Sequence, residues 1–225
     1  NVKLKRDSVE SYIAGERIDV SSRTLDAIEV STESVLGFGR NVLIIKPEIA
    51  AGLSEVDNLP AGTNTPVENP QAEYLRYKLS VDWAQPFIVD QRAYRWDSKA
   101  VVQTASVPLY GSQQLSVGGA GSVRGSHGVS VAGDSGYFWQ NTLTYMTTHS
   151  GPSGEFTGDY SLGYDFGRVS SVRDGVYEGG MRAAMIGAKW VKAPFTLALT
   201  HALPIAVDDK DEGESFTTST LSIGF

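Results

Sequence analysis

Few residues in this chain are typed and spaced for chemistry. It has no cysteine, which removes both disulfides and thiolate metal sites. His127, His149 and His201 lie far apart, without the HxxxH or HExxH spacing of a metal centre. Gly125-Ser126-His127-Gly128 is not the Gly-x-Ser-x-Gly elbow of a serine hydrolase. Gly118-Gly119-Ala120-Gly121 lacks the Gly-Lys-Ser/Thr ending and following helix of a phosphate loop. No catalytic set, metal or cofactor is therefore expected. One charge pair remains. Arg124 sits in Val123-Arg124-Gly125, framed by glycines that let the backbone turn back on itself. A loop folded into a protein interior must give such a guanidinium a buried carboxylate and several acceptors. Asp165 is the candidate partner, with Asp159 on the same strand face as a second. The chemistry would be a charge-assisted lock; the alternative is two unrelated surface charges, which contribute little.

Strands must position these groups. Between Phe156 and Val169, aromatic and apolar residues (Tyr160, Leu162, Tyr164, Phe166) alternate with small or acidic ones (Asp159, Ser161, Gly163, Asp165, Gly167) at period two. Helical periodicity is nearly absent elsewhere, and ten strand-like segments can be placed: 2–16, 24–37, 41–55, 75–83, 92–108, 136–148, 156–169, 182–192, 195–206 and a last one ending at Phe225. Pro47, inside the third, predicts an imperfectly paired position. The fourth alternates Leu75, Tyr77, Leu79, Val81 and Trp83 with Arg76, Lys78, Ser80 and Asp82. Tyr77, Trp83, Tyr94 and Trp96 suggest an aromatic girdle.

The charge balance of 19 basic against 26 acidic residues, net −7, argues against a nucleic-acid partner. No run approaches the roughly 18 apolar residues of a spanning helix. Spanning strands need only about 9–11 residues with alternate ones apolar, and a mean hydropathy of −0.16 accommodates them. Long connections follow the third, fifth, seventh and ninth segments, and short ones follow the second, sixth and eighth. Bacterial barrels keep long loops outside and short turns in the periplasm, which puts the Arg124 connection outside and Phe225 on the periplasmic side.

Three motifs in order are similar to those of a known family. They are Val123-Arg124-Gly125 after a Gly-Gly strand end, then Gly136-Tyr137-Phe138-Trp139-Gln140-Asn141, then Leu162-Gly163-Tyr164-Asp165-Phe166-Gly167-Arg168-Val169. Together they resemble the outer-membrane transporters of two-partner secretion, the haemolysin secretion/activation or TpsB family. This chain departs from it in Ser126, where an aromatic is usual, and in Leu162, where a Phe often stands.

The resemblance implies an all-β transmembrane antiparallel barrel with an inward-folded Val-Arg-Gly loop. The family's barrel has sixteen strands after two periplasmic polypeptide-transport-associated domains. Residues 1–225 are then expected to be the C-terminal ten strands, the rest lying on preceding sequence. It also implies a bacterial outer-membrane pore, acting as a monomer and not as an enzyme, that secretes a large partner exoprotein to the cell surface. Arg124 and Asp165 would form the loop lock, with Val123 and Gly125 in the loop motif and Gly163, Phe166 and Gly167 in the strand motif. Phe225 would be the signal read by the barrel assembly machinery, and outer-membrane lipid the surrounding medium. Three other readings stand beside it: an outer-membrane assembly insertase of the same superfamily, a barrel enzyme, and a soluble β-sandwich binding module.

Overall fold

The computed structural model describes all residues except 10–11, 14–15, 18–22, 54–69, 126–128, 152–153, 173–178, 208–215 and 224–225. The strands are β1 (Val2–Val9), β2 (Tyr12–Ile13), β3 (Glu16–Arg17), β4 (Arg23–Ser31), β5 (Ser34–Phe38), β6 (Asn41–Gly52), β7 (Leu75–Val89) and β8 (Arg92–Ala105), followed by β9 (Leu115–Val117), β10 (Val131–Gly133), β11 (Ser135–Gly151), β12 (Gly154–Ser170), β13 (Gly179–Lys192), β14 (Phe195–Val207) and β15 (Phe216–Ile223). The helical content among the described residues is one 3-10 turn, Gly111–Gln113.

One antiparallel meander runs β1-β4-β6-β7-β8-β11-β12-β13-β14-β15, with β5 also on β6. These ten strands are the ten segments expected from the sequence. β1 and β15 form the lateral edges and do not pair with each other, so the sheet is an arc of barrel wall rather than a closed barrel. Two-residue turns at 39–40, 90–91 and 193–194 lie at one end, the turn end. At Asp90 (φ 48°) and Gln91 (φ 62°) they take the left-handed geometry that suits a tight hairpin. The long connections lie at the other, the loop end. The longest ladder joins β11 to β12, from Ser135↔Ser170 to Gly151↔Gly154.

The differences from expectation have local causes. The first segment ends at Val9, and β2 with β3 makes a separate small hairpin. The second is interrupted at Thr32–Glu33, although Ser31↔Glu48 and Ser34↔Ile45 keep one register. Thr32 donates to the Pro47 carbonyl (3.2 Å), but Pro47 has no N–H to return the bond. Pro204 is accommodated in the same spirit: Arg182 pairs with Ala206 and Ala183 with Pro204, leaving Ile205 as the extra residue of a bulge. The fourth segment runs on to Val89, and the fifth stops at Ala105.

The sheet is inverted in polarity relative to a soluble one. Its outward side chains are large, apolar and open: Leu162 is 63% exposed, Ile186 57% and Ile205 57%. Its inward groups include the buried polar residues Arg76, Gln103, Thr144 and Asp165. A contiguous apolar outer face of this extent is made for lipid. At the turn end one outward ring per strand forms a continuous row. Phe87–Tyr94 are 5.5 Å apart, Tyr94–Tyr145 5.2 Å, Tyr145–Tyr160 6.4 Å and Tyr160–Trp190 6.2 Å between centroids. Such amphipathic rings sit at headgroup level. Of the four aromatics expected in a girdle, Tyr94 stands in this row.

The connection 106–134 supplies the interior core. Leu109 packs with Ala27, Ala50 and Tyr74. Leu115, Val117, Val123 and Val131 pack against Val101, Phe138, Val169, Met181 and Ala183 from the wall. One short segment can reach strands from β4 to β13 only from the concave face. It therefore lies inside the arc.

Candidate functional site

The site is where this inward segment meets the wall. β9 and β10 pair as a three-residue hairpin, Leu115↔Gly133 to Val117↔Val131, and carry the chain down to a tight tip. There Ser122 Oγ takes a hydrogen bond from Gly118 N–H (2.8 Å) and donates to the Gly118 carbonyl (3.1 Å). Gln140, from β11, donates to the Ala120 carbonyl (3.2 Å). Val123, buried at 1% exposure, anchors the tip and aims the next residue at β12.

Arg124 and Asp165 are brought together. Arg124 Nε donates to Asp165 Oδ2 (2.7 Å) and Nη2 to Oδ1 (2.6 Å), a bidentate fork, while the Arg124 backbone N–H adds a third bond to Oδ2 (3.0 Å). The remaining donors reach Thr142 Oγ1 (3.0 Å) and the Asn141 carbonyl (3.2 Å). Asp165 is 1% exposed and the Arg124 side chain 19%, so the carboxylate depends on the arginine more than the reverse. Asp159 lies six residues nearer the turn end, opposite Lys189, and is not among Arg124's partners.

The glycines of both motifs make room. Gly125 has φ +105°, and a Cβ there would sit 2.9 Å from Ala183 Cβ and 3.1 Å from the Leu203 carbonyl. A Cβ on Gly163 would sit 3.0 Å from Arg124 Nη2, and one on Gly167 2.9 Å from Val117 Cγ1. The pair flanking Asp165 thus clears the wall for the arginine on one side and the valine on the other. Phe166 points the other way, among the outward rings of Tyr137, Trp139 and Tyr164. Phe225, Ser126 and His127 lie outside the described residues.

Two further anchors, not singled out by the sequence reading, hold the root of the segment. Asp134, 1% exposed, accepts from Leu109 N–H (2.8 Å) and Gln114 Nε2 (3.0 Å) through Oδ1. Through Oδ2 it accepts from Ser171 Oγ (3.0 Å) and Val172 N–H (2.9 Å). Burial pushes its carboxyl up, but these four bonds outweigh it and hold Asp134 below the usual carboxylate range. Gln113 is the second anchor, facing the charged side of the arc. Its Oε1 accepts from Arg76 Nη1 (3.0 Å), which also reaches its carbonyl (3.2 Å), and its Nε2 donates to Asp7 Oδ2 (2.8 Å). Arg76 Nη2 is in turn paired with Glu48 (2.6 Å), and Gln103 ties the Gln113 and Asp134 carbonyls together (3.2 and 3.1 Å). Arg76 reads as a polar-face residue in the sequence; nothing local marks Gln113 as its partner.

Comparison with known proteins agrees with this architecture. Residues 1–189 match the family described as haemolysin secretion/activation protein ShlB/FhaC/HecB. The hemolysin transporter protein ShlB of Serratia marcescens is 27% identical over 175 residues, 76% of this chain and 30% of that protein. HpmB of Proteus mirabilis, also a hemolysin transporter protein, is 24% identical over 181 residues, 80% of this chain and 31% of that protein. The outer membrane transporter CdiB of Dickeya dadantii is 24% identical over 143 residues, 64% of this chain and 25% of that protein. The chain therefore spans less than a third of the length of these relatives. Among solved structures, CdiB from Escherichia coli superposes with a TM-score of 0.84 at 22% identity, over 100% of this chain and 41% of that one. CdiB from Acinetobacter baumannii gives 0.78 at 16%, over 99% and 38%. The likeness extends along the whole arc, and the family match covers the inward segment and both strand motifs: the chain belongs to the haemolysin secretion/activation protein family, ShlB/FhaC/HecB.

Proposed function

We propose that this chain forms part of the wall of a bacterial outer-membrane pore that exports a large partner exoprotein, unfolded, from periplasm to surface. In this reading the inward segment is the movable obstruction in the pore and Arg124–Asp165 its lock. The observation that carries the reading is the bidentate pair inside the arc. A permanent plug could be held by packing alone, whereas a single ion pair beside the polar groups of Thr142 and Asn141 can be broken and remade. The naming of relatives as transporters supports it. Residues 1–225 would supply the C-terminal part of the barrel, with no covalent chemistry and no cofactor, and the barrel assembly machinery would read Phe225 during insertion.

The test is export by cells carrying the full-length parent and its partner exoprotein, with wild-type, Arg124→Ala or Asp165→Ala transporter at matched outer-membrane levels. Both variants should insert, and exoprotein in the medium should fall. Normal export by both would remove the lock. Export that persists when the transporter is deleted would remove the secretion role and favour the insertase reading.

A further inference from the structure

Charge on the lipid-facing side of the arc is scarce. At the loop end, Arg6 on β1 forks onto Asp26 on β4 (2.7 Å for each bond), so that pair is internally neutral. Two other cations stand outward there, Arg168 on β12 and Arg182 on β13. The register places Arg168 opposite Gly180 and Arg182 opposite Phe166, which makes the two arginines diagonal neighbours on one face. No Asp or Glu occupies an outward position in the loop-end half of β11, β12 or β13. Among the described residues Arg182 forms no ion pair.

Between them lies a hollow of about 110 Å³, lined by Tyr137, Phe166, Arg168, Gly180, Met181 and Arg182. Gly180 creates it by contributing no side chain opposite Arg168. Its volume is several times the ~10–15 Å³ that one water needs. The hollow sits beside the loop-end cluster of outward rings, Tyr137 and Trp139 against Phe166 (6.3 and 5.6 Å). An outward arginine is costly at mid-membrane and nearly free of cost near the interface. These positions are therefore tolerable at the edge of the apolar band, where a guanidinium can pair with an anionic headgroup.

We infer that the Arg168–Arg182 hollow binds a phosphate of an outer-leaflet glycolipid of the lipid A type. The guanidiniums would hold the phosphate by charge-assisted, fork-shaped hydrogen bonds, while the sugar edge and first acyl carbons lie on Tyr137 and Phe166. The Arg182 charge, the depth and the aromatic walls all fit a phosphorylated glycolipid better than a zwitterionic phospholipid, whose ammonium would face a like charge. The inference rests on the outer-membrane placement proposed above, with the loop end outward.

The experiment uses the full-length transporter in detergent, titrated with diphosphoryl lipid A, the same glycolipid with its phosphates removed, and inorganic phosphate. Retained lipid is read by native mass spectrometry. Wild type should prefer the diphosphoryl form, and Arg168→Gln/Arg182→Gln should weaken that binding by roughly tenfold or more. Arg182→Lys, which keeps the charge, should stay nearer wild type, and Arg92→Gln at the turn end should match it. Heat-modifiable electrophoretic mobility confirms that each variant is folded; if the double variant is not, Arg182→Gln alone decides. Equal binding by the glutamine variant, or equal binding of the dephosphorylated glycolipid, overturns the inference. Inorganic phosphate displacing the lipid at matching concentration would make this a free-anion site and overturn it as a lipid site. Normal export with no lipid discrimination removes this site alone; discrimination without export removes the secretion role alone.

Discussion

Along β1–β8 many inward side chains are long and charged, whereas along β11–β14 most are short or uncharged. On the first stretch Glu48 stands opposite Lys78 and Asp82 opposite Lys99, so neighbouring strands present opposite charges to each other. On the second, Thr144 meets Ser161 at 3.1 Å, and Ser161, Gly187 and Thr200 follow one another across the ladder. The inward segment touches both, and they hold it differently. The charged stretch holds the root through a branched network of Asp7, Arg76, Glu48 and Gln103 around Gln113. The smooth stretch holds the tip through one carboxylate, in space left by glycines. A network shares the loss of any one member, and a single pair does not. Tip and root should therefore respond unequally to damage.

The difference can be broken or sharpened with one reporter. Val117 is fully buried and residues 1–225 have no cysteine, so a Val117→Cys background in the full-length protein, with any cysteine elsewhere replaced by serine, reacts with a hydrophilic thiol reagent when the segment undocks. Its rate follows the undocked population. The largest effect is expected from Arg124→Ala. It strands a carboxylate with 1% exposure, costing about 3 kcal/mol, the low end for a broken buried pair because the arginine keeps some access to water. Labelling should rise by about two orders of magnitude; Arg124→Lys, unable to fork, should fall between. Next is Gly125→Ala, expected to cost about 2 kcal/mol through its φ of +105° and the 2.9 Å approach to Ala183 Cβ. Wild-type labelling there would mean the tip can shift without strain. Gln113→Ala should cost about 1.5 kcal/mol: it removes side-chain bonds to the charged Arg76 and Asp7, while Arg76 keeps Glu48 and the Gln113 carbonyl. Labelling equal to that of Arg124→Ala would abolish the contrast between the two stretches.

The smallest effect is that of acid on Asp134. Its carboxyl lies below the usual range in the folded protein, so its contribution is fully present above the ordinary carboxylate pKa. That contribution is lost as pH falls through the lowered value. Labelling in a pH series should be flat from 7 to about 5 and rise below about 4, and Asp134→Asn should flatten that rise. The series needs a reagent that does not itself depend on thiol ionisation.

The tip was legible in the sequence and the root was not, for a physical reason. Asp165 belongs to a strand with clean period-two alternation, so its face is fixed by pattern. Arg124 stands out because a cation in a glycine frame needs an interior partner. Gln113 and Asp134 lie in a connection with no period, and their partners are 37 and 25 residues away in Arg76 and Leu109 and 106 away in Asp7. The three-residue strands β9 and β10 are too short to show alternation. Pro47 announced its interrupted ladder because a missing N–H is a property of the residue itself. The Pro204 bulge needed the register on both sides to be known. Arg168 was quoted within a motif and Arg182 was not, and only the pairing of β12 with β13 put them on one face.

The long β11–β12 ladder has a mechanical consequence. Asn141, Thr142 and Asp165, which together receive Arg124's side-chain hydrogen bonds, all belong to it, and it continues unbroken to Gly151↔Gly154. The aromatic row crosses it at Tyr145 and Tyr160, so six residues of each strand extend beyond that row towards the turn. At about 3.3 Å per residue the tip of this hairpin stands some 36 Å along the strand from Asp165. A paired ladder is stiff along its length, and the row of rings fixes it at one depth in the membrane. The hairpin thus runs as one stiff element from the turn end, past the row of rings, to the wall residues that receive Arg124, and β8 and β13 brace it on both sides.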